Sequence, residues 1–84
     1  MTQPHVKLYA LSTCGHCRHT KQFFGDNGIE YECIEVDLTT GQERETVIEE
    51  VRALNPMLSF PTMVIGDTVI VGFKEDEIKK ALGL

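Results

Sequence analysis

The spacing of apolar residues changes from segment to segment along this chain, and these changes predict its elements. VKLYAL at 6–11 is an unbroken run of β-prone residues and predicts a first strand. A helix should follow, capped by the side-chain oxygen of Ser12 or Thr13 and anchored on the core by Phe24. Because Gly and Asn tolerate the left-handed conformation of helix ends, GDNG at 25–28 predicts where this helix stops.

The next segment predicts a second strand and a second helix. IEYECIEVDL at 29–38 is rich in β-forming residues. Thr40 and Glu43 have the spacing of a capping box, in which each side chain bonds a free backbone N–H at the helix start. Asn55-Pro56 ends the helix, because proline cannot continue it. Between these ends lies an apolar stripe of Val47, Ile48, Val51 and Leu54.

The remaining residues predict a hairpin and a short helix. The runs 60–65 and 68–72 are separated by Gly66-Asp67, and such a two-residue turn is typical of a β-hairpin. The final helix begins with the acidic residues 75–77 and continues with lysines, the order that the helix dipole favours. The chain is therefore predicted to be an α/β protein of order β-α-β-α-β-β-α, with a parallel first unit and an antiparallel hairpin at the end.

Composition and charge narrow the range of partners. A chain of 84 residues that is 42% hydrophobic and 25% charged predicts one small globular domain over 1–84. Its net charge of -5 argues against nucleic acid or an anionic membrane, because phosphate binding needs clustered Lys and Arg. No window approaches the roughly 18 apolar residues of a membrane span. MTQPHVKLY lacks the layout of a signal peptide, so we expect a cytoplasmic protein, monomeric by default.

The chemistry of the chain is concentrated in LSTCGHCRHT at 11–20, where Cys14 and Cys17 enclose Gly15-His16. An odd total of 3 cysteines does not suggest a disulfide scaffold. In a reducing compartment a C-x-x-C is usually catalytic or metal-binding. Beside a β-α-β pattern it is typical of a thioredoxin-like redox site.

The position of each cysteine predicts its role. A thiolate attacks a disulfide, and the start of a helix favours the negative charge that Cys14 would carry. Cys17, one turn further on, is close enough to form a disulfide but more shielded. Cys14 would thus form the mixed disulfide and Cys17 would resolve it. Protonated His16 would stabilise the thiolate and move the potential towards about -200 mV, away from the thioredoxin value of about -270 mV. The alternative is an exposed histidine without influence.

A metal site is the main chemical alternative. Cys14, Cys17, His19 and Cys33 offer the nitrogen and sulfur ligands of a tetrahedral zinc site. Structural zinc usually draws on two paired ligand clusters, however, and Cys33 stands alone in a predicted strand. We therefore expect no bound metal and predict that Cys33 is a small buried residue.

From Val6 to Leu82 the chain resembles a glutaredoxin-family redoxin of the thioredoxin superfamily. Its C-x-x-C follows the first strand, FPTMVIGDTVIVGF at 60–73 resembles the family's substrate-side hairpin, and a terminal helix follows. The resemblance implies a thioredoxin fold, with a four-stranded mixed sheet flanked by helices, and the same two cysteine roles. It also implies that Pro61 is cis. Phe60 would then present its backbone N–H and C=O to an extended substrate segment.

The departures from the family concern glutathione. Leu11 stands where glutathione-using glutaredoxins commonly carry Lys, Val71 replaces the first of two glycines, and Lys74 stands where an acid is expected. VGF at 71–73 is closer to the redoxins that serve ribonucleotide reductase and draw electrons from thioredoxin reductase. Gly15-His16 is similar to the pair in protein disulfide isomerase, which favours a more oxidising couple.

Two further positions belong to the substrate-binding set that the resemblance implies. Lys21 matches the family's basic position after the second cysteine, although a solvated lysine is an equal alternative. Gly72, in the VGF segment at 71–73, is the other position of this set. With Cys14, Cys17 and His16 as catalytic residues, these positions complete the predicted site.

The sequence thus predicts a dithiol–disulfide oxidoreductase that reduces protein disulfides and holds no bound cofactor. Its electrons would come from a reductase similar to thioredoxin reductase or from glutathione. A glutathione-dependent glutaredoxin is one alternative. A metal-binding or interaction module that uses Cys14 and Cys17 is the other.

Overall fold

The computed structural model describes residues 4–84, which form four strands, three α-helices and one 3-10 turn. The strands are β1 (Val6–Ala10), β2 (Glu32–Glu35), β3 (Thr62–Ile65) and β4 (Thr68–Val71). The helices are α1 (Gly15–Asp26), α2 (Gly41–Leu54) and α3 (Glu75–Leu82), and the 3-10 turn is Val36–Leu38. The predicted order of elements is confirmed. The first three residues, used in the signal-peptide argument, lie outside the described part of the chain.

The strands form one mixed sheet in the order β2-β1-β3-β4. Strand β1 runs parallel to β2, with Leu8 opposite Cys33, and antiparallel to β3, with Leu8 opposite Met63. Strands β3 and β4 form the antiparallel hairpin around Gly66-Asp67. This is the four-stranded mixed sheet of the predicted thioredoxin fold.

Two apolar clusters cover the two faces of the sheet. Alternate residues of a strand point to opposite faces, so Leu8 and Tyr9 belong to different clusters. Leu8 packs with residues of α1 and α3, among them Phe24 and Ile78. Tyr9 packs with residues of α2, among them Val51. Among the described residues, no helix combines the length and apolar character that a membrane crossing requires.

Several boundaries differ from the prediction. The second strand is shorter than 29–38, because the chain turns into the 3-10 segment from Val36. Strand β3 begins at Thr62, and Phe60-Pro61 lies before it. Proline has no N–H to donate to a sheet ladder, which explains this late start.

The predicted caps also need correction. Neither Ser12 nor Thr13 caps α1: its N-cap is Cys14, whose Sγ accepts a hydrogen bond from the Cys17 N–H at 3.3 Å. Thr40 is the N-cap of α2 as expected, but its side chain makes no capping hydrogen bond, so the capping box does not form. The end of α1 is confirmed, with Gly28 at a φ of 64°.

Cys33 is exposed, which contradicts the prediction that it is buried. It lies on β2, an edge strand of the sheet. Sequence pattern alone does not distinguish an edge strand from a central one. The edge position leaves one flank of β2 uncovered and the Cys33 side chain open to solvent.

Candidate active site

The loop between β1 and α1 places Cys14 at the rim of the fold. A turn over Leu11–Cys14 is closed by the Cys14 N–H, which donates to Leu11 O at 3.2 Å. Cys14 has an extended backbone, with φ -87° and ψ 121°, and its side chain is half-buried. Its sulfur therefore faces the free N–H groups of the first helical turn.

Two features of α1 are directed at the sulfur of Cys14. The Cys17 N–H donates to Cys14 Sγ at 3.3 Å, and the N-terminus of α1 adds the positive end of the helix dipole. A thiolate is stabilised by both effects. The geometry therefore suits Cys14 to nucleophilic attack.

Cys17 has the opposite environment. Its side chain is fully buried in the cluster shared by α1 and the sheet. Burial raises the pKa of Cys17 to about 12, with further contributions from a hydrogen bond to Cys14 and from the Cys14 charge. Cys17 thus remains a neutral thiol near pH 7 while Cys14 is free to react.

A second loop brings Phe60 to the nucleophile. The Phe60-Pro61 peptide bond is cis, as the resemblance implied. Phe60 O lies 3.9 Å from Cys14 Sγ, within reach of a weak S–H···O hydrogen bond. That Phe60 also pairs with an extended substrate stays a prediction.

The remaining predicted substrate residues are placed differently from one another. Gly72 has a φ of 87°, and its N–H donates to Pro61 O at 2.8 Å, so this donor is used within the fold. The Lys21 ammonium instead forms an ion pair with Glu35 on β2. The structure therefore joins Gly72 to the Phe60-Pro61 loop, while the charge of Lys21 is compensated elsewhere.

His16 lies in the first turn of α1 with an exposed side chain. Its ring centroid lies 6.4 Å from that of His19, whose ring in turn lies 6.3 Å from Phe73. His16 therefore begins a row of rings that runs from the cysteine pair to the loop before α3. The predicted effect of His16 on the redox pair remains a prediction.

The glutaredoxin family model matches residues 6–70, a range that includes both cysteines, Phe60 and Pro61. The chain belongs to the glutaredoxin family.

Individual members of this family resemble the chain over most of its length. A glutaredoxin-like 8.6 kDa protein from the rubredoxin operon of Clostridium pasteurianum is 30% identical over 77 residues, covering 92% of this chain and 96% of that protein. Methanosarcina acetivorans methanoredoxin is 41% identical with a TM-score of 0.90, covering 96% of this chain and 86% of that one. NrdH-redoxin from Escherichia coli, a glutaredoxin-like protein described by a thioredoxin-like activity profile, is 26% identical with a TM-score of 0.75, covering 90% and 92%.

The structure also reveals a contact at the glutaredoxin site that sequence reasoning missed. Asp37, beyond β2, accepts hydrogen bonds from both the backbone N–H of Ser12, at 2.9 Å, and its hydroxyl. These two bonds lower the pKa of Asp37. The two residues are 25 positions apart, so no local signal in the sequence indicates that they meet.

Asn55 was also missed as a site residue, since the sequence suggested only that it ends α2. It is 5% exposed, and its side chain makes hydrogen bonds within the loop that carries Phe60. The available signal was a polar residue placed between the apolar stripe of α2 and the apolar strand β3.

The residues of the alternative zinc site are not assembled into one ligand set. Within residues 4–84, no group of three or more His, Cys, Asp and Glu side chains is placed to hold a metal ion. His19 packs against Phe73, and Cys33 is exposed on β2. A tetrahedral site that combines them with the cysteine pair therefore has no support in this geometry.

Proposed function

We propose that this glutaredoxin-family chain is a dithiol–disulfide oxidoreductase that reduces protein disulfides through Cys14 and Cys17. The observation that carries the proposal is the contrast between the two thiols. Cys14 Sγ accepts the Cys17 N–H at the start of α1, whereas Cys17 is fully buried with a raised pKa. Cys14 is thus suited to attack the substrate disulfide, and Cys17 is suited to resolve the mixed disulfide afterwards.

The reaction proceeds in two exchanges. The Cys14 thiolate attacks one sulfur of the substrate disulfide, the substrate S–S bond breaks, and the departing thiolate takes a proton from solvent. Cys17 then loses its proton and attacks Cys14 Sγ, which breaks the mixed disulfide and releases the second substrate thiolate, and this thiolate takes up the second proton. The substrate gains two electrons and two protons, and the protein is left with a Cys14–Cys17 disulfide.

The second exchange follows from the causes of the raised Cys17 pKa. Burial is the largest cause, and the hydrogen bond to Cys14 and the Cys14 charge add to it. Once Cys14 is part of a mixed disulfide, its charge is gone and its hydrogen bonding to Cys17 changes. We propose that losing these two contributions lowers the pKa of Cys17 towards its ordinary value, which favours the second exchange after the first bond has formed.

Substrate binding is proposed at the Phe60-Pro61 loop. An extended segment of a protein substrate would pair with the backbone of Phe60, next to the attacking sulfur. The 3.9 Å separation between Phe60 O and Cys14 Sγ supports this placement. Gly72 supports Pro61 from the hairpin. Lys21, which is paired with Glu35, and the exposed His16 are proposed to lie at the edge of the substrate-binding surface.

The reductant that regenerates the dithiol is proposed to be a reductase similar to thioredoxin reductase, with glutathione as the alternative. Leu11 and Lys74 stand where glutathione-using members commonly have Lys and an acid. The similarity to an NrdH-redoxin with a thioredoxin-like activity profile supports the same choice. A working dithiol pair also suits the reducing cytoplasm that we expect for this chain.

Cysteine variants test the proposed function directly. We expect Cys14→Ser to abolish reduction of a protein disulfide such as insulin, because the nucleophile is lost. Cys17→Ser should accumulate a mixed disulfide between Cys14 and the substrate, visible as an adduct by mass spectrometry. Cys33→Ser, a matched control on the exposed edge strand, should keep wild-type turnover. Full activity of Cys14→Ser would contradict the mechanism.

A redox titration tests the reductant. The Cys14–Cys17 equilibrium is measured in graded mixtures of reduced and oxidised glutathione. A potential of about -270 mV with slow glutathione exchange supports a reductase as the source of electrons. A potential of about -200 mV with rapid glutathione adducts on Cys14 supports glutathione as the reductant and the predicted stabilisation of the thiolate by His16.

A further inference from the structure

The loop between α2 and β3 reaches the nucleophile without any regular secondary structure. It spans residues 55–61 and delivers Phe60 O to Cys14 Sγ. Leu58 within it has a φ of 52°, a left-handed conformation that a branched side chain rarely adopts. Side-chain contacts must therefore hold this loop in shape.

Asn55 supplies many of those contacts. Its Nδ2 donates to Ser59 O at 3.1 Å, to Ser59 Oγ at 2.9 Å and to Thr62 Oγ1 at 3.2 Å. Its Oδ1 accepts the Met57 N–H at 3.2 Å. Its backbone O accepts the Leu58 N–H at 2.9 Å, so the residue organises the loop from both backbone and side chain.

The partners of the Asn55 amide lie on both sides of Phe60-Pro61. Ser59 comes directly before this pair and Thr62 directly after it. Thr62 Oγ1 also donates to Ser59 O at 2.8 Å, which closes a small hydrogen-bonded ring. Both ends of Phe60-Pro61 are thus tied to a single side chain.

Because these hydrogen bonds are buried, the loop depends on the side-chain amide of Asn55. Asn55 is 5% exposed and Thr62 is 0% exposed, so water does not readily replace a lost partner. A buried polar group without a partner is costly, and the loop would shift to avoid one. Any such shift moves Phe60 relative to Cys14.

We propose that Asn55 is a positioning residue of the active site, whose amide holds the Phe60 backbone where an extended substrate segment pairs with it. The inference rests on the proposed function and deepens it. Asn55 acts on substrate through Phe60 rather than by contact of its own. Its effect is therefore largest for substrates that use the Phe60 backbone.

Two classes of disulfide separate this role from general stability. A disulfide-linked peptide has an extended backbone that can pair with Phe60, whereas cystamine offers little more than its sulfur atoms. A displaced loop should weaken reaction with the peptide more than reaction with cystamine. Loss of overall stability would slow both reactions alike.

The test is the single-turnover oxidation of fully reduced protein by each disulfide, which needs no external reductant. Asn55→Asp keeps the size of the side chain and the acceptor for the Met57 N–H but removes the donor to Ser59 O. We expect the half-saturating peptide concentration to rise about tenfold, the effect of losing one or two hydrogen bonds. The rate with cystamine should fall by no more than about threefold.

The control is Asn27→Asp. Asn27 Nδ2 donates to Phe23 O at 2.9 Å at the far end of α1, so this variant also loses an amide-to-carbonyl bond. We expect it to keep the wild-type ratio of peptide to cystamine reactivity. Should Asn55→Asp fail to fold, Ser59→Ala removes one bond at an exposed residue and should change the ratio in the same direction, less strongly.

The outcomes separate the two levels of the proposal. If Asn55→Asp slows both disulfides equally, or changes neither, Asn55 is not a positioning residue. If the wild type reacts with neither disulfide, the proposed function itself is wrong. Two variants of Thr62 test the hydrogen-bonded ring. If Thr62→Val changes the ratio and Thr62→Ser, which keeps the hydroxyl, does not, the ring is supported as the cause. The opposite result would contradict it.

Discussion

Cys14 and Cys17 lie three residues apart in one helical turn, yet the fold treats them as different chemical groups. Cys14 is half-buried at the rim, with an N–H and the helix dipole directed at its sulfur. Cys17 is fully buried, and burial is the largest cause of its raised pKa. The comparison shows that depth in the core, and not residue type, distinguishes the environments of the two thiols.

Alkylation should show the largest difference between the two thiols. At pH 7 a thiol with a pKa of about 12 is ionised to about one part in 10⁵, so iodoacetamide should modify Cys14 at least about 1000-fold faster than Cys17. The rates are measured by peptide mapping in a Cys33→Ser background, which removes the exposed third thiol. In urea the two rates should converge. Equal rates in the folded protein would contradict the contrast.

Alkaline pH should reveal the same contrast as a change in stability. The pKa of Cys17 is raised to about 12 on folding, so above about pH 8.5 the unfolded chain loses this proton while the folded chain keeps it. The unfolded state then binds fewer protons, and the free energy of unfolding falls as pH rises. At pH 10 the loss should be about 2 kcal/mol.

Urea unfolding of the reduced protein at pH 7 and pH 10 measures this effect. Cys17→Ala lacks the group and should lose less stability between the two pH values than wild type does. The difference between the two proteins isolates Cys17 from the other groups that titrate in this range. An identical fall in both would mean that burial of Cys17 does not control its ionisation.

The smallest effect is expected at the rim, where Asp37 ties down the loop before Cys14. Its pKa is lowered by the Ser12 hydroxyl and N–H, so the contact contributes stability above about pH 4 and loses it as pH falls through the lowered value. Asp37→Asn should therefore speed hydrogen exchange of the Ser12 amide at neutral pH, with little change in the rest of α1. Exchange that is unchanged in this variant would show that the turn holds Cys14 without Asp37.

Local chemistry explains why so much of the fold was predicted. Some signals depend only on residues that are close in the sequence. They include the apolar runs of β1 and of the final hairpin, and the Gly and Asn residues after Phe24. The same holds for a C-x-x-C at the start of a helix, where the free N–H groups are a property of the helix alone. The cis bond before Pro61 needed more than this, since only the family resemblance implied it.

What remained hidden depends on residues that meet only after folding. Ser12 or Thr13 was expected to cap α1, but the Ser12 hydroxyl instead donates to Asp37 in the 3-10 turn after β2, and Cys14 is the N-cap. Cys33 was expected to be buried, but the strand order places β2 at the edge. In the first case a residue distant in the sequence binds the expected cap. In the second case no neighbouring strand of the described sheet covers one side of β2.

The sequence by itself determined the order of elements and the cysteine pair at the start of α1, because hydrophobic periodicity and helix-end chemistry are local. Only the tertiary structure decided that Cys17 is fully buried, and that Asn55 is hydrogen-bonded on both sides of Phe60-Pro61. Burial and long-range hydrogen bonds arise from packing of the whole chain. For that reason the sequence identified the two thiols, and the tertiary structure was needed to show their burial and the hydrogen bonds around Phe60-Pro61.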